Sequence, residues 1–469
     1  MDTLREQIDA MKDDLVAAIR ENVAIKSVEG EPEPGAPFGS GPKAAMDNFV
    51  AIAERLGFRT GVFENMVAWA ELGDPQAELV TILGHVDVVP EGDGWSCDPY
   101  KGKIEDGMLY GRGVMDDKGP IVGALFALKA IADLKIPLKR RIRVMVGTNE
   151  ETGSKAVARY VEAGQDLPVA GFTPDAEYPL INGEKGSATV ELSAPFAAVG
   201  PIQVLSFDGG VAFNSVPARA VAHVMVEPGM EERLLFTASF WKGPQGTSLT
   251  VEDCGDRRFC LCMTGVPAHG SLPQKGVNAV AWLVKVLRLL GVSGEQGKTL
   301  ALLDRLVGTE CYGESLGVCR YDDVSRYTSV CWGTMKSDGD AVRFSLNVRF
   351  PVSFKLEEVL PDLQRAFDDE DLQVLSIHTH PPLYMPEDSE LVAKLMDVYR
   401  RETGRTDDRP MSIGGGTYAK AMPNVLAFGP TMPGEPSNIH EANECWAVDN
   451  IITSTKIVAA AMVSLAGGL

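Results

Sequence analysis

The sequence predicts an α/β protein in which a domain with a mostly parallel sheet and flanking helices is interrupted by an α+β domain. Three observations carry that reading. Between residues 79 and 172, buried-type apolar runs alternate with amphipathic helical stretches, the pattern of parallel βαβ units. From about Gly186 the pattern shifts to strand-like segments with fewer helices between them. Near Pro386 the strand–helix alternation returns. Two like segments around an unlike one most simply make one domain interrupted by another, with bounds at 1–185, 186–384 and 385–469. Strand–helix–strand units recur in the middle segment, which suggests two similar α+β halves.

Each element has a local reason. Leu4, Ile8, Met11, Leu15 and Ile19 recur at three- and four-residue steps and predict one amphipathic helix over the first twenty residues. Glycines and prolines over 29–42 predict a surface loop, and a helix follows over 44–56. A strand pair is expected at 58–62 and 66–71, then a buried strand over 79–83 running into GHVDVVP, 84–90. Residues 90–110 read as a polar rim loop. Pro120 marks a helix start and Ile121, Leu125, Leu128 and Ile131 its apolar face. Strands are expected at 141–147 and 169–172, with a helix over 154–163 between them. In the insertion, GSATVELSAP, ARAVAHVMVEP, LLFTASF, RFCLCMTG and AVRFSLNVRFP read as strands, and 276–290, 299–306 and 356–367 as helices. The last segment predicts a helix over 390–403, a glycine loop IGGGTYAKAM with a helix start at Thr417, a strand over 424–428 and a closing helix over 448–466.

Composition narrows the function classes. At 469 residues the chain exceeds one ordinary hydrophobic core. A formal charge of -21 argues against nucleic acid or an anionic membrane as a partner. The amino terminus is charged throughout, and no run reaches the roughly 18 apolar residues of a membrane span. Eight scattered cysteines lack zinc-knuckle spacing, which suggests small hydrophobes in a reducing, cytoplasmic setting.

Open α/β sheets place ligands beyond the carboxyl ends of their strands. Sorted by that rule, His85 and Asp87, Glu150 and Glu151, Asp175 and Glu177, and His440 and Glu441 fall in strand-end loops. Asp116 and Asp117 precede a helix that could start at the same edge. Singly, each is an ordinary cap, first-turn charge or turn residue. Gathered together, such carboxylates need counter-charge, and two dications supply it. For two metals about 4 Å apart, one carboxylate must bridge. His85, Asp116, Glu151, Asp175 and His440 then supply one histidine and one further carboxylate to each metal. Oxygen and imidazole donors without thiolate suit Zn2+, Mn2+ or Co2+ and do not single one out. Asp87 is left to orient His85, and Glu150 is left uncoordinated, placed to take a proton from the metal-bridging water as it attacks a carbonyl.

The motifs HVDVVP, GRGVMDDKG, TNEETG, TPDAEYP, GVPAHGSLPQKGVNA and PGEPSNIHEANE resemble the co-catalytic zinc family of aminoacylases, carboxypeptidases, desuccinylases and carnosinases. FTPDAEYPLINGEKG and the overall length are most similar to bacterial PepV-type dipeptidases. The resemblance spans nearly the whole chain. It implies a catalytic domain with a lid, and a dipeptide substrate. It implies that His85 and Asp175 hold one metal, that Glu151 and His440 hold the other, and that Asp116 bridges, often with a cis peptide after it. It further implies that Glu150 is the general base, that His269 stabilises the oxyanion, and that Asn214 and Arg349 hold substrate from the lid. PepV-type chains supply that histidine internally, so a monomer suffices, and a homodimer stays open. Gly414, Gly415 and Gly416, running into a helix start, read as an anion site, for a dipeptidase the substrate carboxylate. The same chemistry would serve an N-acyl-amino-acid deacylase or desuccinylase. A non-catalytic metal-binding module would need the ligands but not Glu150.

Overall fold

The computed structural model describes residues 1–370 and 372–467. Asp371, Gly468 and Leu469 lie outside the described residues, and with them one position of the expected middle segment and the last two of the closing one. The chain forms two compact units. The first comprises Met1–Asn182, Met385–Met411 and Gly416–Leu469, and the second Gly183–Tyr384 and Ser412–Gly415.

The first unit is built on a mixed sheet. Its strands lie in the order Arg59–Phe63, Val67–Leu72, Arg141–Gly147, Leu79–His85, Ala170–Thr173, Val425–Ala427. The last four run parallel, with His85 beside Gly147, Ile82 beside Phe172 and Phe172 beside Leu426. The outer pairings are antiparallel. Leu79–His85 is buried at every position, because helices cover a parallel strand on both faces. At about 1.5–3 kcal/mol for each fully buried aliphatic side chain, that strand anchors the sheet. The helix Lys118–Asp133 packs on it and against the closing helix Val448–Leu465. Among the described residues, Val448–Leu465 is the one helix long and apolar enough to cross a membrane, and 67% of it is buried inside the protein.

The second unit is an eight-stranded antiparallel sheet. Its order is Ser248–Asp253, Arg258–Thr264, Arg219–Val226, Ile202–Gly209, Ser329–Asp338, Ala341–Phe350, Gly186–Pro195, Gln373–His380. Gly186–Pro195 alternates buried and more exposed positions, the mark of a sheet packed on one face. The helices Ala279–Leu290, Gly294–Leu306 and Leu356–Asp368 supply Val280, Leu283, Leu287, Leu300, Leu303, Val359 and Leu363 to its core.

Several expectations need correcting. LLFTASF is not a strand but part of the helix Glu231–Phe240, in which Leu234 alone is buried and Glu231 and Glu232 occupy the favourable first turn. The first helix is two, Asp2–Ala10 and Lys12–Val23, broken at Met11. The rim loop contains a hairpin, Lys103–Glu105 with Met108–Tyr110. The expected helix at Thr417 is a single 3-10 turn, Tyr418–Lys420, with the Thr417 hydroxyl accepting from Ala419 N at 3.1 Å. So short a turn has almost no dipole to offer an anion. Ser412–Gly415 packs with the second unit although the sequence groups it with the closing segment. Gly414 lies flat against Ser271, leaving no space for a Cβ.

Candidate metal centre

The parallel strands bring their carboxyl ends to one edge, where the first unit gathers its acidic and imidazole groups. His85 ends its strand fully buried. Its Nδ1 sits 2.9 Å from the Asp87 backbone carbonyl, a contact that makes Nδ1 the N–H and leaves Nε2 as the coordinating atom. Nε2 faces Asp116 Oδ1 at 3.0 Å and Asp175 Oδ2 at 3.6 Å. On the other side of Asp116, Oδ2 lies 2.8 Å from His440 Nε2, which is 3.2 Å from Glu151 Oε2. His85, Asp116 and Asp175 form one triad and Asp116, Glu151 and His440 a second, with the donor atoms of each within 4.8 Å of one another. The peptide Asp116–Asp117 is cis.

Asp87 has a contact beyond the expected one to His85. Its carboxylate is 3.6 Å from His85 Nδ1, and it accepts from Glu150 N and Glu151 N, each at 3.1 Å. It therefore orients His85 through its carbonyl and pins the turn carrying both glutamates through its side chain. Glu150 belongs to neither triad. Asp117 has no role in the sequence reading. Its Oδ2 accepts from His85 N at 3.1 Å, against a Gly84 that leaves no room for a side chain. Tyr418 turns its ring edge to His85, 6.2 Å between centroids, so the short turn after Thr417 buttresses the metal-facing histidine.

Charge at this edge is out of balance. Burial, with Asp175 next, pushes the Glu150 carboxyl well above its ordinary range, and the same causes raise Asp117. Burial and Asp116 push Asp175 up to about 7. Burial would lower both histidines, but the carboxylates outweigh it, raising His85 well above its ordinary value and His440 to about 11. So many carboxylates and imidazoles at one edge call for added positive charge, and Asp117 Oδ1 is buried with no hydrogen-bond partner. Two divalent cations fit this donor set.

A pH dependence follows. In the cation-free fold Asp175 keeps its proton up to about 7, whereas in the unfolded chain it loses it near 4, so its contribution to stability falls as pH rises across that window. The His440 contribution is complete below about 6.5 and is lost as pH rises through about 11. Both signs agree. The gain in Tm on adding Mn2+ is expected to be larger at pH 8 than at pH 5.5 in thermal denaturation; an equal gain would contradict this charge balance.

The second unit assembles the other expected residues. The Asn214 carbonyl accepts from Gly270 N at 2.6 Å, and Ser215 bridges His269. His269 Nδ1 lies 2.6 Å from Ser271 Oγ. Ser271 packs on Gly414, whose carbonyl accepts from the Arg349 guanidinium. Arg349 Nε donates to Asn347 Oδ1 at 2.8 Å, and burial lowers its pKa to about 10, which keeps it charged at neutral pH. Asn214, His269, Gly414 and Arg349 are thus linked through contacts within one unit, Gly415 adjoins them in the chain, and Gly416 belongs to the first unit. The sequence missed Ser271, though it lies inside the quoted His269 motif.

A mixed α/β sheet that delivers two histidine–carboxylate triads to one edge defines a metal-dependent hydrolase. The chain belongs to peptidase family M20/M25/M40, whose family model matches residues 81–464, and is a metallopeptidase. YtjP of Bacillus subtilis strain 168, named as a candidate dipeptidase, is 31% identical over 462 residues, covering 97% of this chain and 98% of that one. The fold is shared with human carnosine dipeptidase 1, at 19% identity, 99% coverage of both chains and a TM-score of 0.59. It is also shared with the dipeptidase Dug1p of Saccharomyces cerevisiae, at 14% identity, coverage of 99% and 98%, and a TM-score of 0.59.

Proposed function

We propose that this metallopeptidase hydrolyses dipeptides, with Glu150 as general base and His269 as the donor to the oxyanion. The observation that carries the reading is a glutamate outside both triads yet adjacent to one of their ligands. His85, Asp116 and Asp175 would hold one cation and Asp116, Glu151 and His440 the other, Zn2+ being the first choice and Mn2+ or Co2+ alternatives. When bound, the pair supplies Lewis acidity toward the peptide carbonyl and lowers the pKa of water.

The remaining roles belong to the chain. Glu150 takes a proton from the attacking water and delivers it to the leaving amine as the C–N bond breaks, yielding two amino acids. Asp87 holds the backbone of that base. His269, with Ser271 at its Nδ1, is read as the donor to charge that develops only in the transition state, where a hydrogen bond most increases rate. Asn214, Arg349 and the Gly414–Gly416 loop hold the substrate and its free carboxylate. Arg349 also sets the Gly414 peptide, with Nη1 donating to its carbonyl while Nε donates to Asn347. An internal peptide bond would leave carboxylate-binding donors unpaired, which disfavours whole proteins. All eight cysteines are free, which fits a reducing, cytoplasmic setting. A monomer would suffice for these roles, with a homodimer left open.

The test compares kcat/KM for Leu-Leu, β-Ala-His and N-acetyl-leucine with the same Mn2+ loading. At least one dipeptide is expected to exceed the acetylated substrate by tenfold or more. The reverse order would make the enzyme a deacylase.

A further inference from the structure

Glu444 closes the motif that contains His440, and no part of the chemistry above uses it. It is fully buried, as is Arg112, whose Nη1 donates to Glu444 Oε2 at 2.8 Å. The same oxygen accepts from Gly113 N at 3.0 Å. The other, Oε1, accepts from Met115 N at 2.9 Å and Asp116 N at 3.3 Å. The Glu444 carbonyl accepts from Gly111 N at 3.0 Å. Beyond it, Cys445–Ala447 pairs with Met108–Tyr110. Arg112 is itself fixed by the carbonyls of Pro90 and Glu91, each at 3.3 Å, and lies over the Trp95 ring.

Stability alone does not account for this arrangement. A fully buried ion pair is on average no better than a well-packed apolar pair of the same volume. What it does supply is direction: four donors converge on one carboxylate, three of them backbone N–H groups of residues 113–116. That segment ends on Asp116, the one residue common to both triads. Asp116 must present one oxygen to His85 Nε2 at 3.0 Å and the other to His440 Nε2 at 2.8 Å, so a small shift of its backbone unseats one side. Glu444 lies four residues beyond His440, and its side chain therefore ties two of the three loops that supply the second triad, those of Asp116 and His440.

We propose that Glu444, braced by Arg112, is a positioning residue that holds Asp116 astride the two cation sites; this rests on the metal-dependent reading given above. Glu444→Gln is the direct test. Whichever way the amide turns, its NH2 meets two N–H donors, so the latch loses two of its four bonds. The variant is expected to fold with unchanged circular dichroism, to bind the weaker of two Mn2+ ions ten- to a hundredfold less tightly by titration calorimetry, the usual range for a lost supporting contact, and to lose the spin coupling of the Mn2+ pair in its EPR spectrum. The double variant Arg112→Met with Glu444→Met replaces the pair by an apolar one. Because it also leaves the Gly113, Met115 and Asp116 N–H groups without their acceptor, its Tm is expected to fall below that of Glu444→Gln, with the same coupling lost. Wild-type affinities and coupling in Glu444→Gln or in the double variant would overturn the proposal. Failure of both to fold would overturn it too, by making the pair a structural requirement. If the wild type itself binds fewer than two Mn2+ ions, or binds two without coupling, the dinuclear reading fails instead.

Discussion

Replacing Glu150 with alanine is expected to lower kcat by about 10²- to 10⁴-fold, the usual range for a lost general base, while both cations stay bound. The expectation rests on position. Asp87 holds the Glu150 and Glu151 N–H groups 3.1 Å from its two oxygens, so the backbone places one glutamate in the second triad and leaves its neighbour outside both. Truncating a side chain outside both triads is expected to remove the proposed proton acceptor and leave the triads intact. Metal content by mass spectrometry, beside steady-state rates on Leu-Leu, separates the outcomes. Full activity in the variant would remove Glu150 from the mechanism, and loss of a cation would make it a ligand.

Asp116→Asn is expected to act on both cations at once. Its Oδ1 serves the His85 side at 3.0 Å and its Oδ2 the His440 side at 2.8 Å, and an amide can offer a lone pair in only one of those directions. It also removes the negative charge that a shared ligand places between two positive ions. His85→Ala, by contrast, breaks one triad and leaves the other complete. Several kcal/mol of cation stabilisation at about 1.4 kcal/mol per tenfold gives a loss in kcat of about 10³-fold or more for Asp116→Asn. Cation stoichiometry is the deciding measurement, with fewer than one bound ion per chain expected for Asp116→Asn and about one for His85→Ala. Two tightly bound ions in Asp116→Asn would show that another carboxylate is shared.

The candidate ligands were legible because their chemistry is local to short motifs at strand ends. His85 follows an unbroken buried run, and Glu150 and Glu151 follow another, so the sheet rule alone places them at one edge. Other features were not legible, for definite reasons. LLFTASF has strand-like composition, and its helix is decided by how Leu234 packs. The helix expected at Thr417 shrank to a turn that carries Tyr418 under His85, a contact between segments 333 positions apart. The sequence assigned Asp117 no role, and the structure places its Oδ2 on the backbone N–H of His85.

By itself the sequence determined the residue types, their grouping at strand ends and the α/β frame, because periodicity and donor chemistry are properties of short stretches. Tertiary structure decided that Asp87 pins the two glutamates, that Ser412–Gly415 joins the second unit, and that Glu444 latches the Asp116 backbone. Each of these is a distance between atoms far apart along the chain, set only when buried polar groups must find partners in a packed interior.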